Sequence, residues 1–563
     1  MKEFDYIIVG AGSAGCVLAN RLSADKNNHV ALLEAGGQND SIYVNMPAAM
    51  AFPLSMHRFN WGFVSEPEPG LDNRRIAQHR GRGLGGSSAI NGMVYVRGHG
   101  CDFDEWEEHG AMGWGYKHCL PYFKRSENWS EGDADYRSQS GPLAIGAGNG
   151  LATTPLYQAF IDAGEQAGYT KTSDYNGYQQ EGFGPLQMTI TGGARNHTGR
   201  AFLKPVADRE NLHVFTNATV ARLLLDQKRA TGVEVEIAGK PTKLTAHQEV
   251  IVAASAFNSP ALLQISGIGP ARILRQAGID VIHDLPGVGE NLQDHLEVFF
   301  QHRCTQRVSL NSRLGLFGKA KIGLDWLLFK KGLGASNQFE AGGFIRSRAG
   351  IKWPDIQYHF IPGAINYEDG KPAFSDDGFQ VHVGPNKPKS RGHVRIQSPD
   401  MRQHPKILFN YLSEQQDIED WRRVIRLTRE IMSQPAMDAY RGDEYQPGLQ
   451  VETDAEIDAW VRQSTETTYH PAGTCRMGAK DDLLAVVDPE CKVRGIGGLR
   501  VVDSSIFPTV PNGNLNAPTI MVAEKAADLI LGLDPLPSSN AGAWVDPEWQ
   551  TRQRTGIPIR SVN

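Results

Sequence analysis

Apolar positions near the start of the chain fall into two short runs, Tyr6-Ile7-Ile8-Val9 and Val30-Ala31-Leu32-Leu33, with an amphipathic stretch through Leu22 between them. Runs without polar alternation mark strands buried on both faces, as in a parallel sheet. Gly10-Ala11-Gly12-Ser13-Ala14-Gly15 separates the first run from the amphipathic stretch, so the order is strand, glycine turn, helix, strand. Gly10 and Gly12 let the backbone turn and approach a pyrophosphate at the helix N-terminus, and Gly15 lets the helix lie close to the strand. The second strand ends in Glu34, nineteen residues past Gly15. A carboxylate there accepts both hydroxyls of an adenosine ribose and repels a 2′-phosphate. FAD and NAD share that adenosine half, and these residues do not choose between them.

Beyond this unit, Leu212 to Leu225 alternates, Gly232 to Ile237 gives a further strand, and together they predict a hairpin. Glu249 to Ala256 reads as a buried strand running into a helix that starts at Ser259-Pro260, with proline in its first turn. Helices are expected near residues 102–126, 156–167, 322–328, 421–432, 454–461 and 519–531, and a strand at 499–502. Apparent strands around Ile356 to Ile361, Phe379 to Val383 and His393 to Ile396, with few glycine turns, predict an antiparallel sheet in a second domain. Residues after about 535, with several Pro and Ser, read as a poorly anchored tail.

Length supports the division, because 563 residues exceed what one compact core organises. Charged residues at 21% and hydrophobic residues at 40% describe an ordinary globular chain, and a net charge of −6 gives no reason to expect nucleic acid. No window approaches the roughly 20 uninterrupted apolar residues that span a bilayer. The start, with two acids leading straight into the first strand, leaves no room for a signal peptide, so a cytoplasmic location is expected; peripheral contact at the inner face of a membrane stays open. Six cysteines without a Cys-x-x-Cys pair fit reduced thiols, with Cys16 a small packing residue, and the seventeen histidines show no metal-ligand spacing.

Gly81-Arg82-Gly83-Leu84-Gly85-Gly86-Ser87-Ser88-Ala89-Ile90-Asn91-Gly92 carries five glycines and two serines in twelve residues. A linker has no need of Leu84, Ile90 or Asn91, so a second cradle of backbone N–H groups is the better reading. With the N-terminal fingerprint, Arg80 to Gly92 resembles the first signature of the glucose-methanol-choline (GMC) flavoprotein oxidoreductases. Ser255 to Gly269 matches the second signature, and Gly287 to His295 resembles the stretch that follows in the family.

The resemblance implies FAD, and an α/β architecture with a Rossmann-like FAD-binding domain (1–155, 191–297 and 468–535) and an α+β substrate domain on an antiparallel sheet (156–190 and 298–467), followed by the tail (536–563). It assigns cofactor contacts to Gly10, Gly12, Gly15, Glu34, Gly83, Gly85, Gly86, Ser87, Asn91, Gly92, Val220, Asp503, Asn516 and Thr519. Some oxidases of the family carry a flavin-linked His where this chain has Ile90, which implies non-covalent FAD and the dehydrogenase branch.

Candidate chemistry gathers near the C-terminus. His470 precedes Pro471, which biases it away from helix, and read alone it is a structural loop residue. The resemblance aligns it with the active-site base that takes a hydroxyl proton, a task suited to an imidazole whose ordinary pKa is about 6.5. Asn514 aligns with the second active-site residue, where a neutral amide steadies an alkoxide; Asn512 reads as turn chemistry. Glu340 is a carboxylate in a largely apolar segment and needs a partner, which a cationic substrate or Arg346 would supply. The resemblance matches Glu340 to the trimethylammonium-binding Glu of choline-oxidising members, and Trp61, His359 and Tyr469 to their pocket, where aromatic faces attract a quaternary cation. The implied activity is FAD-dependent oxidation of choline to betaine aldehyde and onward to glycine betaine. Rivals are a GMC dehydrogenase for a neutral primary alcohol, a flavin lyase or photodecarboxylase, and a flavoprotein that only binds its cofactor. Oxygen, a quinone and a soluble carrier all stand as electron acceptors.

Overall fold

The computed structural model describes residues 2–368, 371–373 and 377–554. Two seven-stranded sheets organise these residues. In the first, Lys2–Val9 lies between Val30–Leu33 and Lys240–Val252, parallel to both, and Leu212–Phe215 extends the parallel side beyond Val30–Leu33. Leu499–Val501 pairs parallel with the end of Lys240–Val252, so the last part of the chain completes the N-terminal sheet. Val30 to Leu33 are buried on both faces, as an apolar run requires, and the helix Ser13–Leu22 packs Cys16, Val17 and Leu18 into the same core. No helix among the described residues is long and apolar enough to cross a membrane.

The second sheet is antiparallel and runs in the order Arg441–Gln446, Leu296–Cys304, Gly378–Pro385, Ile356–Ile361, Ala341–Ile345, Gly182–Pro185. One face packs on the helices Leu156–Gln166 and Gln415–Met432 through Phe160, Tyr358, Phe360, Trp421 and Val424. Its other face carries polar side chains into a cavity shared with the first sheet.

Several boundaries differ from the sequence expectation. Leu212–Phe215 and Ala218–Asp226 are separate strands: Asn217 adopts φ +52° and donates its N–H to Gly36 O, breaking the run. The hairpin joins Ala218–Asp226 to Arg229–Ile237 instead. Residues 102–126 form two helices, Gly100–Glu108 and Tyr116–Ser126, and the helix after Val252 starts at Ser255 rather than Ser259. His393–Arg395 pairs only with Lys406–Leu408, outside the large sheet.

The poorly anchored tail is also corrected as far as residue 554; residues 555–563 lie outside the described residues. Asp546, 1% exposed, receives Arg346 Nη2 at 2.8 Å, while Arg346 Nε holds Glu181. Gln553 donates to Arg346 O at 2.7 Å and Arg554 to Ala167 O at 2.6 Å. Composition suggested a loose end because Pro and Ser speak only for local conformation, whereas the anchoring comes from buried charges some 200 residues apart. Replacing Asp546 by Ala strands part of the Arg346 charge in the core, so a loss of about 3 kcal/mol is expected. Thermal unfolding followed by circular dichroism checks this, with Asp546→Asn, which keeps an acceptor, losing less.

Candidate active site

One cavity of about 1790 Å³ runs between the sheets, from the glycine turns of the first to the polar face of the second. At its nucleotide end the glycines are sterically required. A Cβ on Gly10, at φ +102°, would lie 2.5 Å from Ala253 O, and one on Gly15 would lie 1.8 Å from Gly10 O. Gly86 touches Gly12: a Cβ on it would meet Gly12 Cα at 2.7 Å, so the two glycine-rich turns form one cradle. Glu34 fastens that cradle. Its Oε2 accepts Ala11 N–H at 2.9 Å, and its Oε1 accepts Gly36 N–H and Gly83 N–H at 2.8 Å each. Three amides orient the carboxylate and leave further lone-pair sites for hydroxyl donors.

Gly10, Gly12, Glu34, Gly86, Ser87, Asn91, Gly92, Val220, Asp503, Asn516 and Thr519 all line the cavity. Gly15, Gly83 and Gly85 do not. Gly15 acts in packing; Gly83 holds Glu34; Gly85 donates to Ala11 O at 2.8 Å and abuts His197. Asp503 also fastens backbone: it accepts Ser255 N–H at 2.9 Å, Ser259 Oγ–H at 2.5 Å and Ser505 N–H at 2.8 Å, while burial raises its pKa. Ile90 faces the cavity and offers no nucleophile for covalent attachment. An oriented carboxylate, two amide-rich turns and a helix N-terminus on one continuous cavity fit FAD.

At the other end stand His470 and Asn514. Thr468 donates its hydroxyl to His295 O at 3.0 Å, so its oxygen accepts from His470 Nδ1 at 2.9 Å. His295 Nε2 lies 3.1 Å from Asn386 O, which only accepts, so in neutral His295 the proton is on Nε2 and Nδ1 is a bare acceptor. That acceptor sits 3.1 Å from His470 Nδ1. Both neighbours therefore require Nδ1–H on His470 and leave its Nε2 lone pair facing the cavity, where Asn514 Nδ2 approaches at 3.3 Å. Gln357 Nε2 donates to Asn514 Oδ1 at 3.2 Å and fixes the amide with its NH₂ toward His470. Asp294 holds the His470 backbone N–H at 2.7 Å and is itself bound by Tyr411 and Thr467 hydroxyls.

Burial pushes His470 well below the usual imidazole pKa, with His295, His359 and Arg80 adding to the effect. His295 is lowered to about 3 and His359 to about 4, both chiefly by burial. All three are neutral at neutral pH, so the lone pair of His470 is available as a base.

The expected cation-binding carboxylate lies off the cavity. Glu340 is 1% exposed and does not line the cavity: Oε1 accepts Asn149 N–H at 3.0 Å and Ser336 Oγ–H at 2.6 Å, and Oε2 accepts Leu151 N–H at 2.9 Å. Arg346 is not its partner, being held by Glu181 and Asp546. The carboxylate on the cavity is Glu297, on the strand Leu296–Cys304. Strand register explains its company. Phe299 stands opposite His382, and His382 opposite His359, so with Glu297, two residues before Phe299, all four lie on one sheet face. Gln380 donates to His382 Nε2 at 2.6 Å, which leaves His382 Nδ1–H to reach Glu297 at 3.2 Å. Of the other expected pocket residues, Trp61, Tyr469 and His359 line the cavity, although Trp61 already carries Arg82 over its ring at 5.3 Å.

Sequence reasoning missed Glu297, His295, His382 and Gln357. An acid inside the apolar stretch Leu296–Phe300 was the available signal for Glu297, and it lies only two residues past the stretch singled out for family resemblance.

Comparison with known proteins agrees with this architecture. GMC oxidoreductase family models match residues 4–297 and 388–523. A Vibrio vulnificus protein described as oxygen-dependent choline dehydrogenase is 58% identical over 559 residues, covering 99% of this chain and all of its own. A Photobacterium profundum protein of the same description is 59% identical, with 99% and 98% covered. Among solved structures, pyridoxine 4-oxidase from Mesorbium loti superposes with a TM-score of 0.85 at 31% identity, covering 94% of this chain and 100% of its own. A variant of Aspergillus oryzae formate oxidase gives 0.88 at 27%, covering 94% and 98%. The cradle at Glu34, the paired glycine turns and matches across both halves show that the chain belongs to the GMC oxidoreductase family.

Proposed function

We propose that the chain oxidises choline to betaine aldehyde, and the hydrated aldehyde onward to glycine betaine, with non-covalently held FAD. The observation that carries this reading is Glu297, a carboxylate facing the same cavity as the bare Nε2 of His470. Glu297 already accepts from His382 Nδ1–H, and a quaternary ammonium would add a full counter-charge without competing for that hydrogen bond. The full-length similarity to proteins described as oxygen-dependent choline dehydrogenases supports the same substrate. A neutral alcohol would leave the carboxylate with His382 as its hydrogen-bond partner and add no counter-charge.

With the ammonium at Glu297, the hydroxyl lies toward His470. Bound FAD supplies the hydride acceptor, flavin N5. His470 Nε2 takes the hydroxyl proton, and the Nδ1–H bonds to His295 and Thr468 hold the resulting imidazolium. Asn514, its amide turned by Gln357, donates to the alkoxide. The hydrate of the aldehyde presents a hydroxyl and a C–H in the same relation, so the same groups serve both oxidations. The electron acceptor enters from outside the chain.

Anaerobic choline should bleach the flavin absorbance, and a dark flavin that no alcohol bleaches would overturn the reading; the rate of colour return in air then separates oxygen from a quinone or carrier as acceptor. Glu297→Gln should raise the KM for choline about tenfold or more relative to 3,3-dimethylbutan-1-ol, its uncharged isostere, as expected for a charge-assisted contact. Glu340→Gln should leave that ratio unchanged. His470→Ala is expected to lower kcat by about 10² or more with flavin content retained. His295→Leu removes an acceptor from His470 Nδ1, so kcat should fall while KM for choline holds, and His295→Gln should restore part of the loss.

A further inference from the structure

Six of the eighteen large apolar side chains that are exposed among the described residues stand on one helix, Leu316–Phe329. Phe317 is 90% exposed and Leu316 83%, and Trp326 is the helix's one buried residue. At 100° per residue, Leu316, Phe317, Ala320, Leu324, Leu327 and Leu328 form one continuous arc of about 120°. The opposite side is inward: Trp326 packs with Met46, Ala194 and Ala335, and Lys319, Ile322 and Gly323 line the cavity that holds His470. The helix is therefore a wall of the active-site cavity whose outer apolar face is exposed among the described residues.

Charge around this face runs against the rest of the molecule. Between residues 313 and 331 stand Arg313, Lys319, Lys321, Lys330 and Lys331 against the single acid Asp325, a local balance of +4 in a chain of net charge −6. Lys321 pairs with Asp325 at 2.7 Å, and Lys330 sits over the Trp326 ring, while Arg313 and Lys331 are exposed at the two ends. Fourteen helical residues rise about 21 Å, short of the roughly 30 Å hydrocarbon core, so the helix cannot span a bilayer. An exposed apolar arc flanked by basic residues is the pattern of a helix lying in a lipid interface. A second copy of the chain on the same face would oppose two positive surfaces.

We propose that Leu316–Phe329 docks the enzyme on an anionic lipid bilayer, lying in the interface with its outer arc in the acyl boundary and its inner side still forming the cavity wall. This reading is independent of which alcohol the site oxidises.

The test is cosedimentation of the flavin-loaded full chain with vesicles of phosphatidylcholine alone and with 30% phosphatidylglycerol, at low and high salt. Binding is expected with the anionic vesicles, weakened by salt and by neutral lipid. Phe317→Glu with Leu328→Glu should abolish it, and Arg313→Glu with Lys331→Glu should weaken it about tenfold or more. These four side chains do not line the cavity, so flavin content and turnover with choline and a soluble dye should be unchanged. Failure of the wild-type chain to sediment with anionic vesicles overturns the proposal, as does undiminished binding by Phe317→Glu/Leu328→Glu. A shift of that variant from a larger to a smaller species in gel filtration, without vesicle binding by the wild type, assigns the face to self-association and also overturns it.

Discussion

Three backbone amides from three separate segments converge on the carboxylate of Glu34: Ala11 in the first glycine turn, Gly36 after the second strand, and Gly83 in the second glycine turn. The convergence is possible because Gly10, Gly15 and Gly86 have no side chains where backbone must touch backbone. The result is a fixed concave backbone surface with an oriented carboxylate, formed before any ligand arrives, so a dinucleotide could be held there without further ordering of the loop. Everything downstream is placed relative to it, since the Lys2–Val9 sheet and the helix Ser13–Leu22 both begin at this junction.

The reactive end works by the opposite principle. Where the cradle collects donors, the His470 end gathers buried imidazoles, and burial sets their protonation states. His470, His295 and His359 stay neutral because an imidazolium there would be desolvated. The chain of Asn386 carbonyl, His295 and His470 then decides which nitrogen carries the proton. Glu297, two residues past His295, brings a carboxylate to the same cavity.

Much of this was legible in the sequence. Local signals with a fixed spacing, namely the strand–turn–helix–strand unit, Glu34 and the two signature stretches, led to the cofactor surface, because close approach of backbone leaves its mark as glycine at particular positions. His470 and Asn514 were legible through family resemblance. Glu340 was misread because an acid in an apolar segment says only that a partner exists. The partners are the N–H groups of Asn149 and Leu151 and the Ser336 hydroxyl, about 190 residues and four residues away, and no local pattern encodes them. Glu297 went unnoticed for the complementary reason: its role depends on the register of Leu296–Cys304 against Gly378–Pro385 and Ile356–Ile361, which only the assembled sheet defines.

The pairing of Leu499–Val501 with Lys240–Val252 bears on how the molecule is made. The central N-terminal strand lies next to Lys240–Val252, whose first part pairs with Arg229–Ile237 and whose far end pairs with Leu499–Val501, synthesised about 250 residues later. Arg346 likewise waits for Asp546. A ribosome releasing this chain therefore leaves the far end of Lys240–Val252 without its Leu499–Val501 partner for much of translation, and the Arg346 charge without Asp546 for longer still. Truncation before residue 499 removes a strand of the first sheet and the Asp546 partner of a buried Arg at once, so the expected product is an aggregation-prone chain rather than an enzyme missing a peripheral segment.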